Sequence, residues 1–422
     1  RMPRFHCSGW LHIVAAPGVD AMDITVKHKL DHIAYKDIYL PDKWKQYIRE
    51  NARSQTPGQL RGRTLSDIKL GFSSKAVYYY WLVVSREEWE LDDDPIKSAQ
   101  KFVVEKGEEH GVTLLDIPAE PGTKILAFQV MDFVEEWARN TQELAMDSTW
   151  NTNGANFELF AAVADAKGSG IPLAFLLIHT TKEAASGAKQ TLLERFLRKL
   201  RALGVHPEFT LTDKDWSEIN AMRAVWPNAK HQLCFWHALR ALKQRLAKNK
   251  EHPAVYDSEA AHEKFSFIDL NFVPAGQQDP DAGIAITGPG TARTDYQFCP
   301  LPHRLPILRL FAKHASQHPL LPERHGETRT SENIWHDAVA EMYHHCRANN
   351  LCEVWAYLWN SWYSPSRWGL WARAAYPTSI PCKRTTMMVE ALWRNLKRLV
   401  LHLYNRPPID LAVYAIITKA IP

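Results

Sequence analysis

Glu143-Leu-Ala-Met-Asp147-Ser-Thr-Trp150 is the stretch from which the fold can be read. Leu144 and Met146 bracket an aspartate that emerges where a short apolar strand ends, and a buried strand seldom carries an unpaired carboxylate without reason. Behind it come Phe157-Glu-Leu-Phe-Ala-Ala-Val-Ala-Asp165 and Ile171-Pro-Leu-Ala-Phe-Leu-Leu-Ile-His179, separated by Lys167-Gly-Ser-Gly170. The glycines and serine of that spacer suit a hairpin loop. The first aspartate therefore begins a three-strand meander.

Leu192, Leu193, Phe196, Leu197, Leu200 and Leu203 then recur at helical spacing from about residue 184, and Gly204 stands where a C-terminal cap is expected. Phe209-Thr-Leu-Thr-Asp213 reads as a short strand that again ends in an aspartate, followed by a helix through Ile219, Ala221, Met222, Val225 and Trp226. Pro227 to Leu233 can make a fifth strand, and Cys234-Phe-Trp-His237 starts a helix that continues through Leu239, Leu242 and Leu246. Three antiparallel strands followed by αβαβα describe a ribonuclease-H-like mixed β-sheet flanked by helices, so the chain reads as α/β, or α+β overall. In that architecture the first and fourth strands are central neighbours, which brings Asp147 beside Asp213.

Glu390 joins them by a different route. Val389, Leu392, Trp393, Leu396, Val400 and Leu403 form one apolar stripe of a helix, with Glu390 at its edge and Arg394 and Lys397 on the same side at i+4 and i+7. Such a helix, laid on the sheet by its leucines, aims Glu390 at the two aspartates while its cations face a phosphate.

On these residues the chain resembles the Mutator-like transposases. The motifs that carry the resemblance are Met146 to Asn153, Leu211-Thr-Asp213-Lys-Asp, Trp226-Pro-Asn-Ala-Lys-His-Gln-Leu-Cys-Phe-Trp-His237 and Thr385-Thr-Met-Met-Val-Glu390-Ala-Leu-Trp-Arg-Asn-Leu-Lys397. The resemblance implies a ribonuclease-H-like domain with an Asp-Asp-Glu triad, here Asp147, Asp213 and Glu390, that cuts DNA with water and joins the freed 3′-hydroxyl to target DNA. Its cofactors would be a pair of Mg2+ or Mn2+ ions about 3.5–4 Å apart, which stabilise the attacking and leaving oxygens. Clustered carboxylates without metal repel one another, so a preformed triad implies that divalent cations occupy it. We expect Asp147 to bridge both ions, with Asp213 and Glu390 each holding one.

Each residue also has a plainer reading. An isolated Asp at a strand end is most often a turn or cap residue. Asp215 rivals Asp213 as a ligand but suits the N-cap of the helix near Trp216, and Glu158 is the substitute third acid if Glu390 lies far away. Cys234 and His237, at i and i+3, share a helix face; two ligands do not make a zinc site, which wants four. The alternative is a buried Cys beside a His that hydrogen-bonds near the second aspartate. The resemblance makes this pair a family signature with a structural or positioning role.

The first 45 residues form a separate β-rich module in which Cys7, His28 and His32 are part of a Cys/His zinc pattern. The fourth ligand is missing, and because the chain begins at Arg1 we expect an upstream Cys outside it; the alternative is three unconnected residues. Residues 46–140 read as a helical segment that dimerises or grips DNA. The catalytic core spans 141–250, a helical insertion 251–384 with a long loop at 271–306, and the last catalytic helix 385–422. Trp355, Trp359, Trp362, Trp368 and Trp371 crowd the insertion. Such spacing usually makes a core, and the sharper alternative is that some stack on unpaired bases with Arg367 and Arg373 on phosphates.

Lys plus Arg number 51 against 47 Asp plus Glu, a net charge of +4, which allows nucleic acid without demanding it. The basic residues matter where they gather, at Arg195 to Arg201, Arg240 to Lys250 and Lys383 to Arg398. Lys214, Arg240, Arg367, Arg373, Arg394, Lys397 and Arg398 are the expected DNA contacts. No apolar run of about 18 residues offers a membrane span, and six cysteines form no disulfide framework and suit a reducing compartment. The expected partners are double-stranded DNA and further copies of the chain, and nuclear localisation follows from that substrate. A decayed or domesticated transposase that binds DNA without cutting is the alternative, and a related nuclease acting on RNA or a hybrid fits the triad but not the Cys234/His237 signature.

Overall fold

A computed structural model describes residues 9–15, 18, 22–27, 40–52, 55–65, 74–250, 255–277, 296–322, 326, 328–404 and 406–421. Two compact units divide at Trp89 and Glu90. In the first, β1 (Trp10–Ala15) and β2 (Met22–Lys27) pair antiparallel from Trp10↔Lys27 to Ala15↔Met22. Helices α1 (Asp42–Asn51), α2 (Pro57–Leu65) and α3 (Ser74–Trp89) follow. Ile48, Leu60, Val77 and Trp81 are buried there, and the Trp81 indole donates to the carbonyls of Ala52 and Gln55. Cys7, His28 and His32 lie outside the described residues.

The second unit opens with α4 (Pro95–Lys106), whose N-cap Asp94 accepts from the amides of Ile96 and Lys97. Then come β3 (Val112–Leu114), β4 (Thr123–Val130), α5 (Met131–Trp137), β5 (Glu143–Thr149), β6 (Glu158–Ala166) and β7 (Ser169–Thr180). Next are α6 (Ala188–Ala202), β8 (Phe209–Thr212), α7 (Trp216–Val225), β9 (Lys230–Leu233) and α8 (Phe235–Ala247). The strand order is β3-β4-β7-β6-β5-β8-β9. β5, β6 and β7 pair antiparallel, as the meander requires, while β5 and β8 pair parallel from Glu143↔Phe209 and β8 and β9 parallel from Phe209↔Lys230. This is the ribonuclease-H-like sheet, extended past β7 by two strands that the sequence reading placed in a helical segment. The hairpin between β6 and β7 turns on Lys167 and Gly168, both at positive φ (52° and 101°), a type I′ turn that matches strand twist.

One side of the sheet is covered by α6 and α7. Leu192, Leu193, Phe196, Leu197 and Leu200 of α6, with Ala221, Met222 and Val225 of α7, bury Leu144, Met146, Phe160, Leu176 and Ile178. Each such side chain contributes about 1.5–3 kcal/mol. Helix α6 starts at Ala188, later than its apolar pattern alone indicates, after Gly187 at φ 88°.

A second core belongs to the insertion: α9 (Ser258–Lys264), α10 (Leu301–Ser316), α11 (Ser331–Ala348), α12 (Cys352–Leu358) and α13 (Pro365–Trp371) pack with the apolar face of α8. Helix α10 begins inside the stretch expected to be loop, because Pro300 caps it and Pro302 suits its first turn. Trp355, Trp359, Trp362, Trp368 and Trp371 are all buried. Three of their indole donors are used inside the protein, Trp355 on Tyr256, Trp362 on Tyr357 and Trp371 on the Trp362 carbonyl. The base-stacking alternative for these five rings is thereby overturned. Arg373 is buried too and donates to the Pro381 carbonyl, so it is no DNA contact.

The chain returns to the sheet through α14 (Met387–Asn395), and α15 (Ile409–Ala415) follows and passes into a π-helical turn, Ile416–Ala420. After Asn395 the α-helix passes into a π-helical turn, Leu396–Val400, which departs from the single α-helical stripe read from the sequence. Gly170 lets α14 come close: a Cβ there would lie 2.7 Å from Cβ of Met388 and 3.0 Å from Val163.

Candidate active site

Because β5, β8 and β9 run parallel and adjacent, their C-terminal ends open on one edge, where ligands of such sheets gather. Asp147 lies near the end of β5 and Asp213 directly beyond β8. His237 stands in the first turn of α8, just after β9. Asp147 is 8% exposed, and its Oδ1 accepts only the adjacent amide of Ser148 at 2.8 Å. Burial, reinforced by the charges of Asp213 and Glu390, pushes its carboxyl up to about 7, against the pull of the Ser148 amide and His237. Asp147 and Asp213 are therefore electrostatic neighbours, as the sheet order requires.

His237 joins the second and third acids. Its Nδ1 contacts Asp213 Oδ1, and its Nε2 lies 3.8 Å from Glu390 Oε1. Burial alone would lower its pKa, yet Asp213 and Cys234 raise it to about 10, so the ring is a cation at neutral pH. The buried atoms Asp213 Oδ1, Glu390 Oε1 and His237 Nδ1 make no well-aligned hydrogen bond. Two carboxylate oxygens left in this way beside a buried third acid are a donor set that suits a hard divalent cation. Asp213, Cys234 and His237 also place one ligand atom each within 4.8 Å of one another. That is three donors where structural zinc takes four.

Cys234 is committed elsewhere. Its sulfur accepts the Thr386 amide at 3.4 Å, and hydrogen bonds from His237 and Thr386 outweigh burial and lower its thiol pKa. The Phe235 amide donates to the Arg384 carbonyl, Lys383 Nζ pairs with Asp165 at 3.0 Å, and the Glu143 carboxylate accepts the amides of Cys382 and Lys383. Residues 382–386 thus form a strap tied to β5, β6 and α8, and it delivers α14 and Glu390 to the two aspartates. Nothing in the spacing of Glu143 or Asp165 marks them as partners of a segment so distant in sequence.

The rival acids are accounted for. Asp215 caps α7 through the Ser217 amide at 2.7 Å and pairs with Lys189. Glu158 accepts from the Ser148 hydroxyl and from Lys189, at 2.7 and 3.0 Å, so it is not a free third ligand. Glu218, which the sequence reading passed over, is buried near Asp147, and burial with that charge holds its carboxyl well above the usual range.

Of the expected DNA contacts, Lys397 stands close enough to feel the charge of Asp147, while Arg394 and Arg398 are exposed. Arg240 lies over the Trp236 ring, Arg367 over Trp216 and Lys214 over Trp362. The Arg195 to Arg201 cluster serves the protein itself: Arg195 donates to the Pro118 carbonyl, Arg198 pairs with Glu194 and Arg201 donates to the Val225 carbonyl. Among the described residues no helix is long and apolar enough to cross a membrane.

Comparison with known proteins bears on the same stretch. Residues 143–241 match the family model of the MULE transposase domain, from β5 into α8, taking in Asp147, Asp213, Cys234 and His237 and stopping short of Glu390. The chain is also similar to mating-type protein ALPHA3 of Kluyveromyces lactis, 23% identical over 450 residues that cover 100% of this chain and 48% of that protein. It thus spans about half the length of that curated relative.

Proposed function

We propose that this chain is a DNA transposase of the Mutator-like type, cutting and joining DNA strands at a divalent-metal site held by Asp147, Asp213 and Glu390. The observation that carries the reading is the meeting of three acids from β5, the end of β8 and α14, with oxygens of Asp213 and Glu390 lacking aligned partners. When bound, a pair of Mg2+ or Mn2+ ions would supply the positive charge that steadies the entering and departing oxygens at phosphorus. Asp147, on which the charges of both other acids act, suits the shared ligand.

The protein's own groups do the rest. His237 neutralises Asp213 in the metal-free chain and fixes its carboxylate, and Cys234 fixes the start of the helix that carries Glu390. Lys397 offers a cation beside Asp147 for a phosphate oxygen. Water attacks a backbone phosphorus and a 3′-oxygen leaves as a hydroxyl; that hydroxyl then attacks a phosphorus of the target strand, whose own 3′-oxygen leaves and takes up the proton that the attacking hydroxyl gives up. Double-stranded DNA, further copies of the chain and action in the nucleus belong to this proposal, as does zinc in the N-terminal module.

A second reading, a DNA-binding regulator that has kept the fold without cutting, is favoured by the relative's printed name, that of a mating-type protein. The deciding experiment incubates the chain with Mg2+ or Mn2+ and DNA carrying candidate element ends, beside Asp147→Asn and Glu390→Gln. Cleavage by the wild type that both variants lose, with DNA affinity kept, supports the transposase. DNA binding by all three without any cleavage supports the regulator.

A further inference from the structure

We infer that Trp150, Trp216 and Trp236 form a stacking platform for unpaired nucleotides beside the acids, an inference that rests on the reading of this site as one that works on DNA strands. The five tryptophans of the insertion are buried, whereas these three are 50%, 42% and 47% exposed. Single exposed rings are ordinary. These three, however, share one edge of the sheet: Trp150 follows the end of β5, Trp216 lies three residues beyond Asp213 after β8, and Trp236 directly precedes His237 after β9. The parallel pairing of those strands places all three at the edge that carries Asp147 and Asp213.

Two of the rings are already dressed for a nucleic acid. The Arg367 guanidinium lies 4.4 Å from the Trp216 ring centre, and that of Arg240 lies 5.1 Å from the Trp236 ring centre. A guanidinium over a ring holds it in place and keeps donors at its rim for phosphate oxygens. Trp236 meets the His237 ring edge-on at 4.7 Å, which ties it to the residue that contacts Asp213 and faces Glu390.

The ligand class follows from what a ring face can accept. In an intact duplex the base faces are covered by their neighbours, so a tryptophan beside the reacting phosphate gains contact only where bases are unstacked. Stacking of this kind tolerates any base. It would hold the frayed nucleotides next to the scissile phosphate, while Arg240, Arg367 and Lys397 meet the backbone.

The test measures binding of the full chain without chelator and without added Mg2+ or Mn2+, so that no cutting occurs, to a blunt duplex and to the same duplex ending in a few unpaired nucleotides with 2-aminopurine among them. The readout is the ratio of fork affinity to blunt affinity. The wild type should prefer the fork about tenfold or more and quench 2-aminopurine. Trp216→Ala and Trp236→Ala should each lower the ratio by about threefold or more, towards one, Trp236→Phe should keep most of it, and melting temperatures should stay near wild type. A ratio near one in the wild type, or one unchanged in the alanine variants, overturns the platform and leaves the proposed function standing. Failure to bind any DNA overturns both.

Discussion

The backbone amide of Thr386 donates to the sulfur of Cys234 at 3.4 Å, so the start of α14 hangs from the residue that caps α8. Thr386 is fully buried, and a buried amide left without an acceptor costs about 1–3 kcal/mol. Cys234→Ala should therefore lower stability by about that amount and reduce cleavage further, because the helix bearing Glu390 loses an anchor. Cys234→Ser, which keeps an acceptor, should fall between. Equal denaturant midpoints for the alanine variant and the wild type would remove the anchor from this account.

Divalent metal should stabilise the chain in a pH-dependent way. Asp147 rises from 3.8 to about 7 in the folded protein, so without metal its contribution is best below pH 4 and is lost as pH climbs through 7. Added Mg2+ should relieve the loss, raising the melting temperature more at pH 8 than at pH 6. Asp147→Asn should flatten both dependences. A wild-type melting curve indifferent to Mg2+ at pH 8 would count against the metal site.

Gly170→Ala addresses how closely α14 lies on the sheet. The new methyl would meet Met388 Cβ at 2.7 Å and Val163 at 3.0 Å, neither of which is the free end of a flexible chain. The helix must shift, and a displacement of about 1 Å at reacting groups can cost on the order of a hundredfold in rate. We expect cleavage to fall at least tenfold with only a modest loss of melting temperature. If the rate holds, the helix has slack that the contacts do not reveal.

His314 provides a pH test inside the insertion. It is fully buried in the insertion, with Nδ1 on the Tyr363 hydroxyl at 2.8 Å and Nε2 on Glu341 at 3.0 Å. Burial lowers its pKa from 6.5 to about 4, despite the opposing pull of Glu341. The unfolded chain thus binds this proton before the folded one does, and stability should drop as pH falls from about 6.5 toward 4. His314→Asn should lose that slope in urea titrations at pH 4.5 and 7, whatever it does to stability at pH 7.

The sheet and the acids were legible in the sequence because both depend on local pattern: apolar runs for β5 to β9, and carboxylates where β5 and β8 end. Strands β3 and β4 were not, since Thr123–Val130 runs straight into a helix without turn residues between them. Tryptophans spaced along a helix fit a core and a binding face equally well, and only the partners of their indole N–H groups separate the two. Arg373 shows the same limit for charge, counted as a surface cation until its partner, the Pro381 carbonyl, is seen. The strap was invisible because Glu143 lies 239 and 240 residues away in sequence from its partners Cys382 and Lys383.

That strap sets a timetable for a protein made from its N-terminus onward. The part of the sheet that holds Asp147 and Asp213 leaves the ribosome first, then the insertion, and the segment that seats Glu390 comes after both. A chain interrupted ahead of residue 382 would own two of the three acids together with Trp150, Trp216 and Trp236. On the proposed function, such a product would lack the acid that α14 carries and should cut no DNA.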